Sequence, residues 1–118
     1  MMMKVLEGYN RFDVVVVPFP FSDRMAKKRR PVVVLSSSDF LNRSGHVVTA
    51  MITTAKHSSW PFDTIISDLK SAGLEVNCLI RLKFFTADHS LIIRKLGKLS
   101  DADSNLLSEN IQNVFMKQ

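Results

Sequence analysis

A single cysteine, Cys78, rules out an intramolecular disulfide. No apolar run approaches the roughly 20 residues that a membrane helix needs. The longest, around Val14–Phe21, is short and broken by Pro18 and Pro20. The opening Met1-Met2-Met3-Lys4 leads to Glu7 with no apolar segment ending in small residues, so no secretory signal is expected. Residues 1–10 suggest no element. Repeats, low-complexity tracts and linkers are missing too, so one domain over residues 1–118 is the economical expectation. Cys78 and the three histidines, His46, His57 and His89, do not fall at a zinc-binding spacing. The reading is therefore a soluble, cytoplasmic protein that calls for no metal or cofactor. A chain of this size buries about 60–70% of its unfolded surface, enough for a core without staples.

Acidic residues are absent from one stretch in particular. Arg24-Met25-Ala26-Lys27-Lys28-Arg29-Arg30 carries five basic side chains and no acidic one. The whole chain has 16 Lys and Arg against 11 Asp and Glu. Without those five, the two signs balance at 11 each, so the net charge of +5 is local. Val14-Val15-Val16-Val17-Pro18-Phe19-Pro20-Phe21 precedes the stretch and Pro31-Val32-Val33-Val34-Leu35 follows it. This reads as a cationic loop between two buried strands, an arrangement better suited to a polyanion than to a neutral metabolite. Charge alone also fits a solvated loop with no ligand.

Short β-branched runs dominate the first 95 residues. Strands are expected at Val14–Phe19, Pro31–Ser37, His46–Thr53, Phe62–Ser67, Cys78–Lys83 and Leu91–Lys95. Turn signals separate them at Asn42-Arg43-Ser44-Gly45, Lys56-His57-Ser58-Ser59 and Ser71-Ala72-Gly73. The period then changes. Ser100 and Asp103 resemble a capping box, and Leu107, Ile111, Val114 and Phe115 recur at helical spacing, so a helix is expected from about Asp101 to Phe115. Short strands and one terminal helix predict a mainly β (α+β) fold: a small, strongly bent barrel with a helix packed on it.

Several features, taken in order, resemble a known family. Asp13-Val14-Val15-Val16-Val17-Pro18-Phe19-Pro20-Phe21-Ser22-Asp23 looks like an opening strand and turn. Arg30-Pro31-Val32-Val33-Val34-Leu35-Ser36 looks like a second strand, and Ile52-Thr53-Thr54 like the end of a third. Arg81 and the run from Ser90 to Ser100 complete the pattern. Together they resemble the MazF/PemK toxins of bacterial toxin–antitoxin pairs, from Asp13 onward. The resemblance implies an SH3-like barrel, a homodimer, and metal-independent, sequence-specific cleavage of single-stranded RNA leaving a 2′,3′-cyclic phosphate and a 5′-hydroxyl. It also implies a cognate antitoxin whose acidic, flexible tail occupies the same groove.

The resemblance assigns Arg30, Thr53 and Arg81 as catalytic. Arg30 would stabilise charge on the phosphate, since its fork stays protonated at neutral pH. On residue type alone, a surface arginine in a basic loop is the stronger reading. Thr53 would hold a phosphate oxygen or orient Arg30; strand propensity alone also places a threonine there. Arg81 matches an arginine used in some branches, and a structural ion pair is the other reading. In those branches an aspartate two positions later is the general base; here it is Lys83, leaving Asp23 or His57 as candidates. RNA contacts are expected from Lys27, Lys28, Arg29, His57 and Lys83, with Phe21 and Trp60 stacking on bases. Phe19 and Cys78 are read as core. Two other classes compete: a non-cleaving nucleic-acid or antitoxin-binding module, or a gyrase-poison-like toxin on the same fold.

Overall fold

A computed structural model describes residues 8–19, 28–55 and 59–117. Six strands form one antiparallel sheet: β1 (Asp13–Phe19), β2 (Lys28–Val34), β3 (His46–Thr54), β4 (Thr64–Ile65), β5 (Cys78–Asp88) and β6 (Arg94–Lys98). Their order across the sheet is β4-β5-β3-β2-β1-β6. Register breaks at Val14/Val15 and Ala50/Met51 bend the strands, and the sheet curls into a half-barrel. Three helices accompany it: α1 (Ser38–Ser44), α2 (Leu69–Ala72) and α3 (Asp101–Phe115). Among the described residues no helix is long and apolar enough to cross a membrane. The mainly β fold with a C-terminal helix is the one expected, and α3 has the expected bounds.

Each face of the sheet has its own core. Val14, Val33, Ala50, Ile52 and Ile80 pack on one face beneath Leu107 of α3. Val15, Val17, Val32, Val34 and Val47 pack on the other beneath Leu41 of α1 and Ile92. The valine run of β1 is therefore buried on both faces, and each fully buried valine contributes about 1.5–3 kcal/mol relative to exposure.

Several sequence expectations change. Lys28, Arg29 and Arg30 are strand residues, paired with Phe19, Pro18 and Val17, and do not belong to a loop. Pro31 falls inside β2 instead of opening it. Its missing N–H is tolerated because the β2–β3 ladder runs only over Val32–Val34, so Pro31 stands where that ladder stops. β5 runs on past Lys83 to Asp88: Leu82 and Lys83 are skipped in the pairing opposite Ala50/Met51 without ending the strand, and Ile80, Leu82 and Phe84 stay on one face. β4 shrinks to two residues, and β6 starts at Arg94 because His89–Leu91 forms a 3-10 turn capped by Asp88. The Asn42–Gly45 and Ser71–Gly73 turn signals are the C-terminal ends of α1 and α2, closed by left-handed Gly45 and Gly73.

Two contacts fasten α3 to the β4 edge. The Asp103 carboxylate is buried and accepts from Ser67 N at 3.0 and 3.1 Å, Ser67 Oγ at 2.7 Å and Asp68 N at 3.0 Å. Further along, Asn110 Nδ2 donates to Thr64 Oγ1 at 2.7 Å. Elsewhere, Gly97 of β6 lies against the end of α2, where any Cβ would collide with the Ser71 carbonyl.

Burial alone would raise the Asp103 pKa, but the hydrogen bonds from Ser67, Asp68 and Ser100 outweigh it and lower the pKa. A carboxyl held below its unfolded value stabilises the fold above about pH 4. That stability disappears as the pH falls through the native-state value. Asp103→Asn should lower unfolding free energy by about 2–3 kcal/mol at pH 7, because it turns a donor toward the Ser67 and Asp68 N–H groups. The gap between wild type and variant in denaturant melts should narrow below pH 4; an unchanged gap would remove the charge from the account. Gly97→Ala should cost about 3 kcal/mol in the same melts.

Candidate functional site

Strand alternation decides which charged residues can meet. In β2, Val32 and Val34 belong to the core beneath α1, while Val33 belongs to the core beneath α3. Arg30 therefore lies on the Val32 face, as does its partner across β1, Val17. Val32 pairs with Met51 in β3, which puts Met51, and Thr53 two residues on, on this same face. The ladder stops at Val32, and alternation past it keeps Arg30 and Thr53 on the same face, each two residues beyond the last pair. Met51 in turn pairs with Arg81, and Thr53 with Leu79. Arg30, Thr53 and Arg81 thus share one face of three adjacent strands, spanning two strand spacings of about 4.8 Å each. Arg30 is exposed and Thr53 half-buried.

The valines near the other end of this face are covered by α1 and Ile92. The basic residues of β2 divide: alternation puts Lys28 on the Arg30 face and Arg29 on the opposite one, both exposed. Phe21, Lys27, His57 and the alternative base Asp23 lie outside the described residues.

The structure adds a residue that sequence reasoning missed. Arg81 Nη2 lies 2.8 Å from Asp63 Oδ2, and Nε donates to Oδ1 at 3.3 Å. The two side chains are only 12% and 16% exposed. The Asp63 hydrogen bond raises the Arg81 pKa, opposed by burial and helped by the charge of Asp63. Asp63 sits in a segment read as strand, and finding it requires the register of β4 on β5, which sequence does not display.

Lys83 and Trp60 also meet, with the ammonium 4.7 Å from the ring centroid. Both are exposed. Trp60 and Phe62 help to wall a cavity of about 440 Å³ against Leu82 and the end of α3. His46 and His89 have no part in this site. Their Nδ1 atoms lie 2.9 Å from the carbonyls of Ser44 and Gly45, at the start of β3, more than 20 Å along the strand from Thr53 by ~3.3 Å per residue. Cys78 is buried, and burial raises its pKa, as befits a packed thiol.

The model of the PemK-like, MazF-like toxin of type II toxin–antitoxin systems matches residues 10–115. The chain belongs to that family. Its fold is similar to that of a mycobacterial endoribonuclease solved in complex with its cognate antitoxin, at 15% identity and a TM-score of 0.70 over 90% of this chain and 93% of that one. Toxin MazF-mt6 of Mycobacterium tuberculosis matches at 20% identity and a TM-score of 0.69, over 87% and 95%. A MazE–MazF structure from Deinococcus radiodurans matches at 13% identity and a TM-score of 0.73, over 93% and 98%. At these identities the likeness is one of fold. No protein of curated function matches.

Within this PemK/MazF-like chain the segment after β3 is tied to β5 twice, by Asp63 on Arg81 and by Trp60 on Lys83. Trp60 is the only tryptophan, so its fluorescence reports this junction alone. Lys83→Met should change the emission intensity and weaken the junction by about 0.5–1 kcal/mol. A spectrum identical to wild type would mean that the ammonium does not sit over the ring in solution.

Proposed function

We propose that this PemK/MazF-like chain is a metal-independent, sequence-specific endoribonuclease toxin. The observation that carries the reading is the convergence of Arg30, Thr53 and Arg81 on one face of three adjacent strands in a chain of this toxin family. Folds of the same kind include a mycobacterial endoribonuclease and toxins solved with antitoxins.

The chemistry follows from the side chains. The ribose 2′-oxygen attacks the adjacent phosphorus, its proton leaves, negative charge grows on the phosphate oxygens, and the 5′-oxygen departs with a proton. Arg30, exposed at the rim, donates to the phosphate oxygens and stays charged throughout. Thr53, on the same face of the next strand, holds a phosphate oxygen or the Arg30 fork by hydrogen bonding. Arg81 adds a second positive charge two strands away. Lys28 on the same face meets the neighbouring phosphate, and Lys83 with Trp60 meets the flanking nucleotide. A homodimer carries two such faces, and a cognate antitoxin silences them by laying an acidic, flexible tail over the cations.

A second reading has two observations in its favour. Arg81 is already engaged by Asp63, and Lys83 replaces the acid expected there. A chain that binds RNA or antitoxin yet cuts poorly would look the same.

The two readings differ in their products. Incubated with long unstructured RNA in EDTA, the protein should leave 2′,3′-cyclic phosphate and 5′-hydroxyl ends at a recurring short motif. Arg30→Ala should reduce cleavage by about 100- to 1,000-fold without moving the thermal midpoint. Tight, salt-sensitive binding with no product from any sequence would select the binding module. Full activity in the arginine variant would remove Arg30 from the mechanism.

A further inference from the structure

We infer that Asp63 is a positioning residue of this site, fixing the Arg81 guanidinium in place from the β4 edge. The inference rests on the endoribonuclease reading above.

Register places the pair. Thr64 pairs with Ile80 and Ile65 with Leu79, so one step back along the same ladder sets Asp63 opposite Arg81. Ile80 belongs to the core beneath α3. Arg81 and Asp63 therefore lie on the other face, the one that carries Thr53 and Arg30. The carboxylate grips one edge of the guanidinium through Nε and Nη2, a two-point contact that fixes the plane as well as the position. For a guanidinium so largely removed from solvent, this carboxylate supplies a compensating charge.

The position of Asp63 is itself imposed from elsewhere. Phe62, immediately before it, has φ of 62°, a left-handed conformation that costs a bulky residue about 1–3 kcal/mol and persists only where the surroundings enforce it. Thr64, immediately after it, is fully buried and accepts from Asn110 of α3 at 2.7 Å. The two-residue strand β4 has little hold on the sheet by itself. A line of contact thus runs from α3 through Asn110, Thr64 and Asp63 to Arg81. A cation held this way need not reorganise when charge develops on a phosphate, which is where preorganisation lowers a barrier.

Asp63→Asn preserves shape and removes the charge. In single-turnover and steady-state cleavage of an RNA carrying the mapped motif, it should lower kcat roughly 10- to 100-fold with KM nearly unchanged. Asp63→Glu, which restores the charge on a longer arm, should recover part of the loss. Asp63→Asn combined with Arg81→Gln should be no slower than Arg81→Gln alone, since the first residue acts through the second. In ¹⁵N spectra the Arg81 Nε–H signal should be sharp and slowly exchanging in wild type and lost in Asp63→Asn. A folded Asp63→Asn protein with wild-type kcat, losses that multiply in the double variant, or an Arg81 signal indifferent to Asp63 would each overturn the inference. Should Asp63→Asn fail to fold, Asp63→Glu is read by the same criteria: wild-type kcat together with an altered Arg81 signal overturns it. If wild-type protein cuts no RNA at all, the endoribonuclease reading falls and takes this one with it. If wild type cuts and the Asp63 variants cut equally well, this inference falls alone.

Discussion

Val32 and Val33 stand back to back in β2, one in each core, and that commitment fixes the placement of every charge nearby. With both faces buried at Val32–Val34, a slip of one residue would exchange the two cores and bring Arg29 to the Thr53 face in place of Arg30. The register is therefore held by several buried valines at about 1.5–3 kcal/mol each. Once it is fixed, alternation alone carries Arg30 to the face of Thr53, and the β3–β5 ladder carries Arg81 to the same side. The charged residues need no special device to converge. They follow from the hydrophobic pairing a few residues away.

This explains which parts were legible in the sequence. Strands such as Asp13–Phe19 and His46–Thr54 are continuous β-branched runs, and α3 announces itself by a cap at Ser100 and an apolar repeat through Leu107 and Ile111. The ordered motifs around Arg30-Pro31 and Thr53 give the family as well. What sequence could not display depends on pairing between distant segments. Lys28–Arg30 look like a loop because they are charged, yet β1 holds them in a strand. Phe84 and Phe85 look detached from Cys78–Lys83 because both are apolar, one packing in each core, and hide the alternation. Asp63 has no motif around it; only the β4–β5 register gives it a partner.

Arg81 draws out a tension between the two functional readings. An arginine that is only 12% exposed and held by a carboxylate has the signature of a structural ion pair. Buried pairs of this kind add little net stability compared with apolar replacements, because desolvation offsets the attraction. The cheaper solution for stability would be two hydrophobic residues at the β4–β5 junction. Retaining a charged pair on the face that carries Thr53 and Arg30 is easier to understand if the charge is used.

The same reasoning bears on Lys83. Lys83 brings a cation to β5 two positions after Arg81, and its ammonium is set over Trp60. A carboxylate does stand next to Arg81: Asp63, immediately before β4, reaches it from the neighbouring edge of the sheet. Strand pairing makes such a contact possible, because positions i and i+2 on one strand and the cross-strand partner of i are all neighbours on one face. The constraint on chemistry is then the local charge pattern around the guanidinium, and a curled antiparallel sheet can satisfy it from more than one strand.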